Sequence, residues 1–216
     1  MPIDKIMQTV NANPGLKGAL GGAAGGALVS AMLGNKTARK VAKTGGLMAL
    51  GGLAWQAYRS YQDSTTQNSP DQVQELPKEA FDLNPESASE DIDLVVRAMI
   101  AAAHADGQLD DNERHRIWDH ALTSGFSTSQ LEALSQEINH PVGIAQLAVM
   151  ANGLEQKIEI YTASRLLINE EHERGAVYLR GLADALGLPR GLVLALNDET
   201  RALSEAELSQ GDNVAA

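Results

Sequence analysis

Ala101-Ala-Ala-His-Ala-Asp-Gly-Gln-Leu-Asp-Asp-Asn-Glu-Arg114 is the stretch whose reading decides the fold. An apolar helix runs into it, Asp106-Gly107 closes that helix, and an acidic first turn opens the next one. A weaker echo stands at Leu166-Leu-Ile-Asn-Glu-Glu-His-Glu-Arg174. The repeating unit is therefore helix, acidic turn, helix. Asp106 and Asn169 begin the two turns, and the helices that follow close at Gly125-Phe126 and Gly187-Leu188.

Before the first turn, Ile92, Val95, Val96, Met99, Ile100 and Ala103 keep the i, i+3, i+4, i+7 spacing of an amphipathic helix, with Ser89 as its cap. After it, a helix from about Asp111 turns Ile117, Ala121 and Leu122 inward. Ser127-Thr-Ser-Gln130 reads as a capping box for a third helix carrying Leu131, Leu134 and Ile138. Pro141 suits the first turn of a fourth, with Ile144, Leu147, Ala148 and Met150 facing in. A fifth covers about Leu154 to Ile168, a sixth runs from His172 to Leu186 and stops at Gly187, and a seventh starts at Pro189. No stretch alternates with a period of two for long enough to make a sheet. The fold class is all-α, a bundle of about seven helices over residues 90–216. Trp118, Phe126, Tyr161 and Tyr178 are core or half-core packing residues in this reading.

The other end of the chain obeys different rules. Gly18 to Gly34 carries no charge, and Gly18, Gly22 and Gly26 lie four apart. A second uncharged run, Thr44 to Tyr58, has Gly45-Gly46 and Gly51-Gly52 and closes on Trp55, Tyr58 and Tyr61. Each interior glycine costs a helix in water about 1 kcal/mol relative to alanine. In a bilayer, unpaired backbone groups force the helix, and small residues four apart let two helices approach closely. Aromatic residues at one end of an apolar run match an interfacial belt. At 1.5 Å per residue the runs reach only about 25 and 22 Å, against a hydrocarbon core of about 30 Å. The competing reading is a soluble glycine-rich hairpin that zips to itself or to a partner.

Charge draws the same division. The net charge of −11 splits into +6 over residues 1–62, where Asp4 is the single acid, and −17 over the remainder. A basic segment suits anionic lipid headgroups, and an acidic domain is repelled by phosphate backbones, so nucleic acid is excluded as its partner. Residues 1–62 are thus expected to form a membrane-associated helical region. Residues 63–89, rich in Ser, Pro, Gln and acids, are expected to form a disordered linker, and residues 90–216 the acidic helical domain. The absence of cysteine excludes disulfides, thiolate metal sites and cysteine nucleophiles.

Asp106, Asp110 and Glu113 are the leading candidate site residues, joined by Asn169, Glu171 and His172 if the two turns face each other. Such ligands suit hard divalent cations, Ca²⁺, Mg²⁺ or Mn²⁺. The stretch is no EF-hand: counted from Asp106, the third position is Gln108 and the twelfth is Ile117. The bland alternative assigns Gly107 to helix closure and Asp110-x-x-Glu113 to capping. His104, near the end of its helix, is expected to contact the Asp106 carboxylate, and His140 to lie at the surface. No Gly-x-Gly-x-x-Gly or Gly-x-Ser-x-Gly is present, and Gly34-Asn-Lys-Thr37 lacks the spacing of a phosphate loop. A non-enzymatic role is therefore expected, with a metal-dependent enzyme using Asp106, Asp110, Glu113 and His172 as the alternative.

Ala-Asp-Gly-x-Leu-Asp-x-x-Glu-Arg at the start of the second helix resembles the tellurite-resistance TerB-like fold. With the glycine-rich start, the Asn35-Lys-Thr-Ala-Arg-Lys40 cluster, and Tyr178-Leu179 near Ala183-Asp184-Ala185-Leu186, the chain resembles the YebE group of bacterial inner-membrane proteins. The resemblance implies an inner-membrane location, a TerB-like domain, no established activity, and acidic-turn metal ligands that map to Asp106, Asp110 and Glu113. At the second turn the chain departs from the family's Asp-x-Asp-His, carrying Asn169, Glu171 and His172 and losing one charge. The expectation is a membrane-attached protein whose acidic domain binds a partner protein, a second copy or a divalent cation, in envelope or metal stress.

Overall fold

The computed structural model describes residues 47–66, 75–81, 83, 89–107, 111–123, 128–168 and 172–211. They form α1 (Leu47–Thr66), a 3-10 turn (Lys78–Phe81), α2 (Ser89–Asp106), α3 (Asp111–Thr123) and α4 (Thr128–Asn139). There follow α5 (Ile144–Met150), α6 (Leu154–Leu167), α7 (Glu173–Leu186) and α8 (Arg190–Gly211). No strand occurs among the described residues. The all-α expectation holds among the described residues, and the helices over 89–211 fall where periodicity puts them, apart from the start of α5.

α2 carries buried apolar residues on two of its faces, so it stands between two cores. Leu94, Val95, Ala98, Met99, Ala101 and Ala102 face one core, while Val96 and Ile100 face a second. The first core is the larger. It takes Ile158, Ile160, Tyr161, Ala163 and Leu167 from α6, which lies against α2, and Leu179, Leu182, Ala183 and Leu186 from α7. Leu147 of α5 and Leu192 and Leu196 of α8 complete that side. The second core joins Val96 and Ile100 to Ile117 and Ala121 of α3 and Leu134 and Ile138 of α4.

Helix ends follow local chemistry. Gly187 sits at φ +67, where a β-carbon is penalised, and its N–H bonds back to Asp184 O at 3.1 Å. Leu188 N bonds Ala183 O at 3.0 Å and its side chain is buried, the two parts of a Schellman closure. Pro141 is not in the first turn of α5. That helix begins at Ile144 behind an extended Gly143, whose N–H donates to Gln146 Oε1 at 3.0 Å. Met150, expected inside, is exposed at the end of this short helix. Ser127 lies outside the described residues.

The larger difference concerns the second glycine-rich run. Leu50, Ala54, Ala57 and Tyr58 of α1 are buried in the first core, and α1 packs on α6 and α8. The three aromatics expected to form an interfacial belt are occupied within the protein. The Tyr58 ring lies 5.8 Å from Phe81 and 6.5 Å from Tyr61. Trp55 carries Arg59 and Lys78 over its ring at 5.4 and 5.5 Å. A β-carbon on Gly51 would collide with the Phe81 carbonyl oxygen, so here the glycine serves a close backbone approach inside the domain. From the stretch read as linker, Phe81 and Leu83 are each only 2% exposed and belong to the same core. No helix among the described residues is long and apolar enough to cross a membrane. The first run, Gly18 to Gly34, and the basic cluster at 36–43 lie outside the described residues.

Candidate functional site

One described residue at each acidic turn, Asp106 and His172, comes into contact with the other. Asp106 ends α2, and Gly107 follows at φ +76 with its N–H on His104 O at 3.1 Å, so the closure read from Asp-Gly is the one formed. His172 precedes the first residue of α7 in extended backbone (φ −90°, ψ 117°). Its Nδ1 lies 3.2 Å from Asp106 Oδ1, a contact across 66 residues of sequence. With a proton on Nδ1 the imidazole donates to the carboxylate. Because α2 and α6 pack side by side, Asp106 at the end of α2 comes within reach of His172 ahead of α7.

The electrostatics of this contact are uneven. The Asp106 side chain is 0% exposed, whereas His172 is 56% exposed. A buried carboxylate is costly unless it is paired and hydrogen-bonded. Asp106 also sits at the negative end of the α2 macrodipole, where a cation is favoured and an anion is not. A carboxylate kept in such a place needs a hydrogen-bond donor or a cation brought to it, and among the described residues His172 reaches it from the second turn.

His104 does not make the expected contact with Asp106. Its Nε2 lies 3.0 Å from Ile138 O on α4. Residues two apart on a helix point about 200° apart, so Asp106 facing the second turn places His104 toward α4. Of the other candidates, Glu113 is placed as a backbone position in the first turn of α3, and Asp110, Asn169 and Glu171 lie outside the described residues. Among the described residues no three His, Asp or Glu side chains come together in a way that could hold a metal ion. Asp106 and His172 offer one oxygen and one nitrogen of a ligand set. His140 is exposed, as expected.

Sequence reasoning passed over Arg165 and Glu137. Arg165, 8% exposed, donates from Nη1 to Ile168 O at 3.4 Å, holding the end of α6 just before the second turn. A basic residue in the last turn of a helix, directly ahead of an acidic turn, was the available signal. Glu137, 9% exposed, accepts from Val142 N at 2.9 Å and pairs with Arg97 Nη1 at 3.4 Å. A glutamate on an amphipathic helix gave no warning of that.

The family model DUF533, described as a protein of unknown function, matches residues 18–200. An uncharacterized protein in the ampR 5′ region of Yersinia enterocolitica is 26% identical over 110 residues, which cover 51% of this chain and 79% of that protein. No solved structure matches the chain. DUF533 is TerB-like, so that part of the resemblance stands, while the narrower likeness to an inner-membrane group rests on the sequence motifs alone. Matched from residue 18 to residue 200 and helical across the described part of that range, the chain belongs to the DUF533 family.

Proposed function

We propose that this protein is a non-enzymatic helical module that binds a divalent cation where its two acidic turns meet, in envelope or metal-stress physiology. The observation that carries the reading is the wholly buried Asp106 carboxylate at the negative end of α2, with His172 of the second turn 3.2 Å away. Oxygen donors from Asp110, Glu113, Asn169 and Glu171 would complete a set suited to Ca²⁺, Mg²⁺ or Mn²⁺. Calorimetric titration of the full-length protein with each cation tests this. Saturable binding that Asp106→Asn weakens at least about tenfold supports it, because a charged first ligand is worth more than about 1.4 kcal/mol. Flat titrations reduce the Asp106–His172 contact to a hydrogen bond that latches the end of α2 to the start of α7.

Attachment to the bacterial inner membrane is the second part of the proposal, and it falls to the first glycine-rich run. That run is uncharged from Gly18 to Gly34 and is followed by Lys36, Arg39, Lys40 and Lys43. The apolar face of α1 is taken up by the protein's own core, which leaves the second run little to offer a bilayer. One span with a basic cluster after it retains that cluster in the cytoplasm, and the helical domain with it. Protease added outside spheroplasts should therefore leave residues 47–216 intact. Digestion of that domain without lysis would overturn the orientation, and recovery of the full chain without detergent would overturn the attachment.

A further inference from the structure

A cleft of about 480 Å³ opens between α7 and α8 above α6, lined by neither Asp106 nor His172. Small-molecule sites span roughly 300–1,000 Å³, so the volume is sufficient. Its walls are apolar: Leu179 and Ala183 from α7, Leu188 from the connection, and Val193 from α8. Its floor is polar. Tyr161, 2% exposed, donates from Oη to Asn197 Oδ1 at 3.1 Å, an arrangement that leaves the Asn197 amide nitrogen as a donor. Arg180 and Arg190 stand exposed at the mouth beside Asp184. Neither guanidinium has an ion-pair partner among the described residues.

Donors outnumber acceptors in this cleft, and its formal charge is +1 on a part of the chain that carries −17 over residues 63–216. A cationic, donor-rich spot over apolar walls selects an amphipathic anion. We propose that the cleft binds a small organic carboxylate with an apolar body. The carboxylate lies between the Arg180 and Arg190 guanidiniums, and the body packs against Leu179, Ala183 and Val193.

The probe is 4-phenylbutyrate, with the neutral 4-phenylbutan-1-ol as its isostere, read by saturation-transfer NMR on the full-length protein. The acid should bind about tenfold more tightly than the alcohol, the size of one retained charge-assisted hydrogen bond. Arg180→Gln with Arg190→Gln should abolish that preference and leave the alcohol unaffected. Ala176→Phe, at another position lining α7's side of the cleft, should remove binding of both. Asp106→Asn should change neither, which separates this site from the cation site. Equal binding of acid and alcohol, an unaltered preference in the double arginine variant, or no binding of either overturns the proposal. The arginines are exposed, so their replacement tests it even if Ala176→Phe fails to fold.

Discussion

α3 and α7 hold equivalent places, each leaving an acidic turn, yet they live in different surroundings. α7 gives Leu179, Leu182, Ala183 and Leu186 to the large core. α3 gives Ile117 and Ala121 to a cluster whose other buried members are Val96, Ile100, Leu134 and Ile138. The spacing of apolar residues determines which face turns inward, and it does so equally well for both helices. What that face is worth depends on how much protein already stands behind it. The small cluster is tied to α2 partly by polar contacts, His104 to Ile138 O and Arg97 to Glu137. α3 and α4 are therefore expected to open as a local unit, at lower free energy than α6 and α7.

The largest test of this difference compares two truncations. Leu182→Ala leaves a cavity at a fully buried site in the large core and should cost about 3–5 kcal/mol. Ile117→Ala, at 1% exposure in the small cluster, should cost about 2–3 kcal/mol, because a thinner wall of neighbours can settle into the gap. Denaturant melts give both numbers, and equal losses would break the comparison. Native-state hydrogen exchange sharpens it. Amides of α3 should exchange below the global free energy, those of α7 at it.

Next in size is Gly51→Ala. The added β-carbon meets the Phe81 carbonyl, which belongs to the backbone and can yield only by moving the 3-10 turn with Phe81 and Leu83. A loss of about 1–3 kcal/mol follows from such overpacking. At the neighbouring Gly52 a β-carbon would meet no atom within 4 Å. Gly52→Ala should therefore act through helix propensity alone and stabilise by up to about 1 kcal/mol. Opposite signs at adjacent glycines, read from thermal melts, would show that α1 is docked in solution as it is in the structure.

These two glycines also show where the sequence ran out. The helices from α2 to α8 were legible because periodicity, Gly187, Pro189 and the acidic turns are local signals, each sufficient within a few residues. The docking of α1 was not. Close glycine spacing says that a backbone must come near, and it reads the same whether the partner is another membrane helix or the carbonyl of Phe81. Trp55 and Tyr58 are equally ambiguous, since amphipathic aromatics suit a lipid interface and a basic-flanked core edge alike. At the candidate site, the repeat of the acidic turns named Asp106 and His172 as residues of one site only on the condition that the turns face each other, and the sequence reading paired Asp106 with His104 instead. The partner of His104 lay 34 residues away on α4, beyond any local pattern.

The smallest expected effect tests whether the large core has a flaw the small one lacks. The Tyr178 hydroxyl on α7 is buried with the Ser164 side chain nearby but with no partner in hydrogen-bond geometry among the described residues, whereas Tyr161 Oη reaches Asn197. Burial pushes the Tyr178 hydroxyl up to about 12 from its ordinary 10.0, and the neighbouring Ser164 only partly offsets that. Tyr161→Phe should cost about 1 kcal/mol, while Tyr178→Phe should be neutral or stabilise by up to about 1 kcal/mol at pH 7, since it removes an unmet polar group. The pH dependence carries the sign. A hydroxyl whose folded value lies above its unfolded value stays protonated in the folded chain, so its contribution is intact below pH 10 and is lost as pH rises toward about 12. Wild type should thus lose stability across that window faster than Tyr178→Phe, in melts taken at matched ionic strength. Parallel curves would mean that the hydroxyl meets water in solution, and α7 would then sit less tightly in the large core than its apolar face implies.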